Sequence, residues 1–253
     1  MKVAFSRPTA NRHEQCELFE NFWAVGYQGL QLKANQYMPY IDKPQQFCDE
    51  WGQHEGVAAG LILGDKLDDA GIASLRQLFT LAAAVGSERI IFCHLVPRSE
   101  VASDDIKHFA RLLSELGREA QQQGVALSLH HHYNQPVMHR ADIVTFFEAA
   151  DPGSVGLTID TAHLVKSGIA DVAGVIRDFS DVIDNFHLKD FADGEWRVLG
   201  RGDLNFDPIF AAIGDIGYKS WLCADEESGG VLLGGMRECY DVVRHKLVMI
   251  GCS

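Results

Sequence analysis

The stretch ALSLHHHYN (126–134) sets Leu127 and Leu129 in alternation with Ala126 and Ser128, then runs into three consecutive histidines. A period of two is the mark of a strand. In an α/β barrel, the C-terminal end of a strand is where chemistry is carried. The question is whether the run is a functional strand end or an accident of composition. Side chains alternate faces along a strand, so His130 and His132 share one face and His131 takes the other while the strand persists. At most two of the three then point the same way.

The surrounding chain repeats this pattern. KVAFS (2–6), YQGLQLK (27–33), GVAAGLIL (56–63), RIIFCHL (89–95), VALSLHH (125–131), SVGLTID (154–160), VIDNFHLK (182–189) and WLCAD (221–225) read as eight strands. Residues 11–26, 44–54, 68–86, 103–124, 140–152 and 234–250 read as helices, with Leu18, Phe22 and Val25 at helical spacing and Gly26 as a stop. Ser103 is expected as an N-cap, and Pro152 closes its helix. Eight strands alternating with helices over short joints predict an α/β fold, a single-domain (β/α)8 TIM barrel over 1–253, a size close to the usual ~250 residues. A doubly wound open sheet shares the alternation, but no G-x-G-x-x-G follows the first strand.

Composition narrows the partners. Twenty-two basic against thirty-five acidic residues leave a net charge of −13, which repels a phosphate backbone and argues against nucleic acid. No run of ~18 apolar residues offers a membrane span. The opening MKVAFSRPTANRHEQ turns polar too soon for a signal peptide. None of the six cysteines forms a C-x-x-C, and Cys93 and Cys223 lie in strand-like runs. Free thiols in a reducing cytoplasm are therefore expected. No glycine-rich phosphate cradle is evident.

The polar residues gather at strand ends. Strand two closes on Lys33, strand four on His94, strand five on His130–His132 and strand six on Asp160; strand seven carries His187, Lys189 and Asp190, and strand eight ends in Asp225-Glu226-Glu227. Carboxylates and imidazoles converging on one axis suit one divalent ion: Mn2+, Co2+, Mg2+, Zn2+ or Fe2+. In LTIDTAHL (157–164), Asp160 can be a helix N-cap or a site acid; His163 three residues on favours the site. In NFHLKD (185–190), His187 and Lys189 share a face. Arg201, in the polar loop VLGRGDLNF (198–206), is either a surface residue or a contact for an oxygen-rich substrate.

GLTIDTAHL, NFHLKD, GRGDLNFDPIF and GYKSWLCADEE resemble the xylose isomerase-like TIM-barrel superfamily of sugar isomerases and epimerases, and the resemblance covers nearly the whole chain. It implies one divalent metal held by Asp160, His187 and the acid closing strand eight, with His163 beside it. Counting from Trp221 matches that acid to Asp225, with Glu226 turned to the other face. Two positions depart from the family pattern. Strand five usually ends in Glu, where this chain has His130, and His132 matches a later family histidine; strand eight usually ends in Glu, where this chain has Asp225. The histidine cluster resembles the inosose dehydratase branch.

The resemblance thus implies a metal-dependent isomerase, epimerase or dehydratase. It would act on a sugar or cyclitol ketone through an enediolate-type intermediate, and it is compatible with a homo-oligomer. The candidate catalytic groups are His130, His132, His163 and Lys189. The candidate substrate contacts are His94, Lys33, Arg201 and Glu226. The candidate metal ligands are Asp160, His187, Asp225 and His130. The competing readings are a multi-zinc hydrolase of the endonuclease IV type and a non-catalytic sugar-binding barrel.

Overall fold

In the computed structural model, which describes residues 1–252, eight parallel strands close into a barrel. The strands are β1 (Lys2–Ser6), β2 (Gly29–Leu32), β3 (Gly60–Asp65), β4 (Arg89–His94), β5 (Ala126–His130), β6 (Gly156–Asp160), β7 (Ile183–Leu188) and, after a short antiparallel hairpin of β8 (Asp190–Ala192) and β9 (Glu195–Arg197), β10 (Trp221–Asp225). β10 pairs with both β7 and β1 and so closes the ring. The eightfold barrel expected from the alternation is present.

The outer layer comprises α1 (Arg12–Val25), α2 (Ala34–Tyr37), α3 (Pro44–Trp51), α4 (Asp69–Val85), α5 (Ser103–Gln122), α6 (Arg140–Ala149), α7 (Thr161–Lys166), α8 (Val172–Asp178), α9 (Phe206–Asp215) and α10 (Leu232–Met249). Gly26 ends α1 at φ 119°, as a left-handed C-cap requires. Ser103 is the first helical residue of α5 rather than its cap; the preceding Ala102 N–H donates to Asp105 instead. The α7–α8 pair and α9 lie outside the helices read from the sequence. α7 and α8 are short, with six and seven residues. α9 does carry a helical apolar period, Phe206, Ile209, Phe210 and Ile213, which the sequence reading missed.

The two faces of the strands do different work. Helix-facing Leu30, Leu127, Leu129, Leu157, Ile159, Phe186 and Leu222 are fully buried in the main core. The lumen begins with a plug of Ala4, Ala59, Trp221 and Cys223 at the N-terminal end. A Cβ on Gly29 would lie 2.8 Å from the Trp221 ring, so the plug requires glycine there. Above the plug the lumen is largely polar: Gln31, Ser128, Thr158 and Asn185 are all buried, with Ile91 beside Gln31. All six cysteines are free, with Cys93, Cys223 and Cys239 buried. Among the described residues, no helix is long and apolar enough to cross a membrane.

Candidate active site

At the C-terminal ends of β5, β6 and β7, His130, Asp160 and His187 bring donor atoms within 4.8 Å of one another, all buried. Register explains the convergence: Asp160 lies level with His187, and His187 level with Cys223, two residues below Asp225. His130 Nε2 is 3.1 Å from His187 Nδ1 and 3.6 Å from Asp160 Oδ2. His187 Nδ1 is 3.8 Å from Asp225 Oδ2. Four donors around one ion at bonds of ~2.1 Å stand about 3.4 Å apart if tetrahedral. The spacing of His130, Asp160 and His187 therefore fits a single divalent ion, with Asp225 beside them.

Asp160 does two jobs with one carboxylate. Its Oδ1 accepts from the backbone N–H groups of Ala162 (3.0 Å) and His163 (2.9 Å), capping α7. Its Oδ2 is buried with no hydrogen-bond partner. A buried carboxylate oxygen without a hydrogen bond is costly; Lys189 Nζ at 4.0 Å and His130 Nε2 at 3.6 Å only partly offset that, and a bound metal ion would complete it. The helix-cap reading of Asp160 is thus visible, and its second oxygen is left facing the cluster.

Asp225 points into the lumen, and Glu226 does not. Glu226 accepts from Arg7 Nη1 at 2.6 Å and from Ser228 N at 2.7 Å, and is 1% exposed. Its expected role as a substrate contact is corrected: its carboxylate ties the loop after β10 to the end of β1. Glu227, which sequence reasoning left out of the site, enters it. Lys33 Nζ lies 2.7 Å from both Asp225 and Glu227, and Lys189 Nζ lies 2.8 Å from both. Asp225 and Glu227 are two apart, the spacing that returns to one face. Burial opposes the charge on Lys189, but Asp225, Asp160 and Glu227 outweigh it and hold the ammonium well above its usual range. Burial also opposes the charge on Lys33, but Asp225 and Glu227 outweigh it and raise its pKa.

The three histidines have three environments. Burial works against a charge on His130, yet Cys93 and Asp160 raise its pKa to about 10. His131 turns away from the lumen, where its Nε2 accepts the Asp160 backbone N–H at 2.9 Å. Burial, then the neighbouring His130, lowers the His131 pKa to about 3. His132 donates from Nδ1 to the Tyr133 carbonyl at 2.7 Å, which leaves a lone pair on Nε2. Burial and His130 lower its pKa to about 4. Its ring stacks on His163 with centroids 3.7 Å apart. Burial also keeps His163 and His187 neutral.

Two further expectations are corrected. His94 packs on Phe109, ring centroids 4.6 Å apart, on the helix-facing side of β4. Period two gives the lumen to Cys93 instead. Arg201 pairs with Glu238 of α10 at 2.6 Å with a side chain 67% exposed, so it does not reach the cluster. Its loop is anchored by Asp190, which accepts from Gly200 N and Gly202 N at 2.9 Å each. A Cβ at Gly202 would lie 2.2 Å from the Asp190 carboxylate. Over the cluster lies Trp196 of β9, its ring centroid 4.9 Å from Lys189 Nζ and 4.9 Å from the His163 ring. Nothing in the local sequence of β9 marks this residue.

Comparison with known proteins agrees with this arrangement. Residues 24–238 match the family described as xylose isomerase-like TIM barrel. The inosose dehydratase of Clostridium tetani is 30% identical over 143 residues, covering 49% of this chain and 48% of that protein. The chain spans about half the length of the curated relatives it matches. An L-ribulose 3-epimerase structure superposes with a TM-score of 0.81 at 17% identity, covering 99% of this chain and 96% of that one. The IOLI protein with a bound zinc atom superposes at 0.78 and 17% identity, covering 99% and 98%. Closed barrel, strand-end cluster and a match over most of the sequence agree, and the chain belongs to the xylose isomerase-like TIM barrel family.

Proposed function

We propose that this chain is a divalent-metal-dependent enzyme of the isomerase, epimerase and dehydratase group, acting on a sugar or cyclitol ketone, and that dehydration is the reading the site supports best. The observation that carries it is the cluster of His130, Asp160 and His187 with the unpartnered Asp160 Oδ2, beside Asp225. These four side chains would hold the ion. When bound, the ion supplies Lewis acidity that polarises a substrate carbonyl.

The remaining chemistry belongs to this chain's own residues. His132 Nε2 carries the lone pair that takes a proton from the carbon next to the carbonyl. The electrons of that C–H bond pass into an enediolate-type intermediate. Their return expels the hydroxyl one carbon further on, and the proton held by His132 leaves with it as water. One C–H and one C–O bond break, one C=C bond forms, and His132 ends as it began. Lys189 and Lys33 stay charged throughout, so they orient oxygen atoms rather than move protons. His163 supports the His132 ring by stacking. An imidazole at 130 in place of an acid leaves no second carboxylate base on that strand, which suits one-base elimination better than two-base epimerisation. The inosose dehydratase relatives support the same class.

The test is metal analysis of protein purified without a histidine tag, followed by a panel of inososes and ketoses with the ion found. One ion per chain with loss of water from an inosose supports the proposal. Several zinc ions per chain would favour a hydrolase, and a bound ion with no turnover on the whole panel would favour a binding protein.

A further inference from the structure

A continuous chain of polar side chains crosses the barrel lumen from Arg89 to His187. Arg89 Nη1 lies 3.3 Å from Asp184 Oδ2. Asp184 Oδ1 is 2.6 Å from Ser128 Oγ, and Ser128 Oγ is 2.7 Å from Thr158 Oγ1. Thr158 Oγ1 is 3.3 Å from Asn185 Nδ2. Asn185 and Gln31 pair through both amide atoms at 2.8 and 3.2 Å. Gln31 Oε1 ends the chain 2.8 Å from His187 Nε2. Ser128, Thr158, Asn185, Gln31 and His187 are each no more than 1% exposed. Asp184 reaches this lumen because one step on β6, Leu157 to Thr158, spans two on β7, Ile183 to Asn185. Such a bulge re-aims a side chain.

Donor and acceptor rules give the chain one direction. The Asp184 carboxylate only accepts, so the single Ser128 proton goes to it. Ser128 Oγ then accepts the single Thr158 proton. Thr158, with its proton spent, accepts from Asn185, which requires Nδ2 on that side. The paired amides then place Gln31 Oε1, an acceptor only, against His187. His187 Nε2 must carry the ring proton, and the lone pair must sit on Nδ1, the atom facing His130, Asp160 and Asp225.

We infer that Asp184, Ser128, Thr158, Asn185 and Gln31 are positioning residues that fix the tautomer of His187 through this one-way chain, and so set which nitrogen faces the ion. The inference rests on the proposed role of His187 as a metal ligand. The hydrogen bond made by one ring nitrogen decides the state of the other. Outer partners of metal-binding histidines are worth 10–100-fold in affinity, on the order found across metal sites.

The test reads the tautomer directly. Metal-free protein labelled with 15N at histidine is examined by long-range 15N–1H correlation. The His130→Ala background is used because the His130 ring, 3.1 Å from Nδ1, can fix the tautomer from the other side. The expected spectrum shows a single His187 form protonated at Nε2. Adding Thr158→Val should bring in the Nδ1-protonated form, and Thr158→Ser, which keeps the hydroxyl, should not. Asp184→Asn, at the remote end of the chain, should mix the forms as Thr158→Val does. With His130 intact, Thr158→Val should weaken Zn2+ or Mn2+ binding by ~10–100-fold, and Thr158→Ser should restore it. A wild-type lumen holding His187 protonated at Nδ1, or a tautomer unmoved by Thr158→Val and Asp184→Asn, overturns the inference whatever the metal affinity does. An ordered tautomer that responds to both variants, in a protein that binds no ion, leaves the inference standing and overturns the metal-site reading.

Discussion

The two oxygens of Asp160 allow its two jobs to be separated. Oδ1 caps α7 through Ala162 and His163, and Oδ2 is the unpartnered donor. Asp160→Asn keeps an oxygen for the cap and puts an amide NH2 where Oδ2 stood. Asp160→Ala removes both. Each variant deletes the same buried charge, so comparing them cancels that shared cost. What remains is the cap: Asn and Asp cap about equally well, and losing a cap to Ala costs ~1 kcal/mol, within a range of about 0.5–2. In a chain of this size that corresponds to about 2–4 °C in Tm. Metal binding should fall in both variants by more than ~100-fold, since even outer partners of a ligand are worth up to that much. The assay is thermal unfolding of the metal-free proteins beside metal titration. Asn and Ala variants of equal stability would refute the capping argument. An Asp160→Asn protein that binds the ion like wild type would refute the ligand assignment.

His130→Ala and His132→Ala should each lower kcat/KM by ~100-fold or more, the range of a lost acid–base group or ligand. His131→Ala should act mainly on stability, by ~1–3 kcal/mol, because it leaves the Asp160 backbone N–H unpaired. If it proves the most damaging to activity in folded protein, the register of the strand end is wrong. Without metal His130 is held charged with a pKa of about 10, so binding an ion at pH 7–9 should release one proton. Titration calorimetry in buffers of different ionisation enthalpy measures this, and zero protons released would contradict it. The Asp142 pKa is lowered: burial opposes this, but Arg98 and the N–H groups of His139 and Met138 prevail. Its contribution is therefore present above the unfolded pKa of ~3.9 and lost as pH falls through the lower folded value. Acid unfolding should show Asp142→Ala destabilised at pH 7 and converging on wild type towards pH 2.

The barrel was legible because each strand carries one apolar face at period two. The candidate cluster was legible where height and face agreed. Asp160, His187 and Asp225 stand at strand ends and also face the lumen, so either criterion finds them. His94 stands at a strand end but on the other face, and its height alone misleads; parity names Cys93. Glu226 and Glu227 lie beyond the strand, where adjacent carboxylates separate to Arg7 on one side and to the lysines on the other. Arg201 is in a loop whose path depends on Asp190, twelve residues before Gly202. No local pattern encodes that distance. Trp196 is likewise placed by the β8–β9 hairpin, which follows β7 but forms its own two-stranded sheet apart from the barrel.

The lumen shows why this fold tolerates so much polarity in its centre. A barrel interior is commonly filled by layers of branched apolar side chains. Here the apolar filling is the plug of Ala4, Ala59, Trp221 and Cys223, with Ile91 alone beside Gln31 above it. The next layer is Gln31, Thr158 and Asn185, whose amide and hydroxyl groups satisfy one another. A satisfied buried network rigidifies, whereas a half-satisfied one is costly. The Asp184 bulge gives that network its fixed acceptor end, and His187 its other end. Burial on the helix-facing side supplies stability, which leaves the lumen-facing side free to be spent on orienting the ring that meets His130 and Asp160.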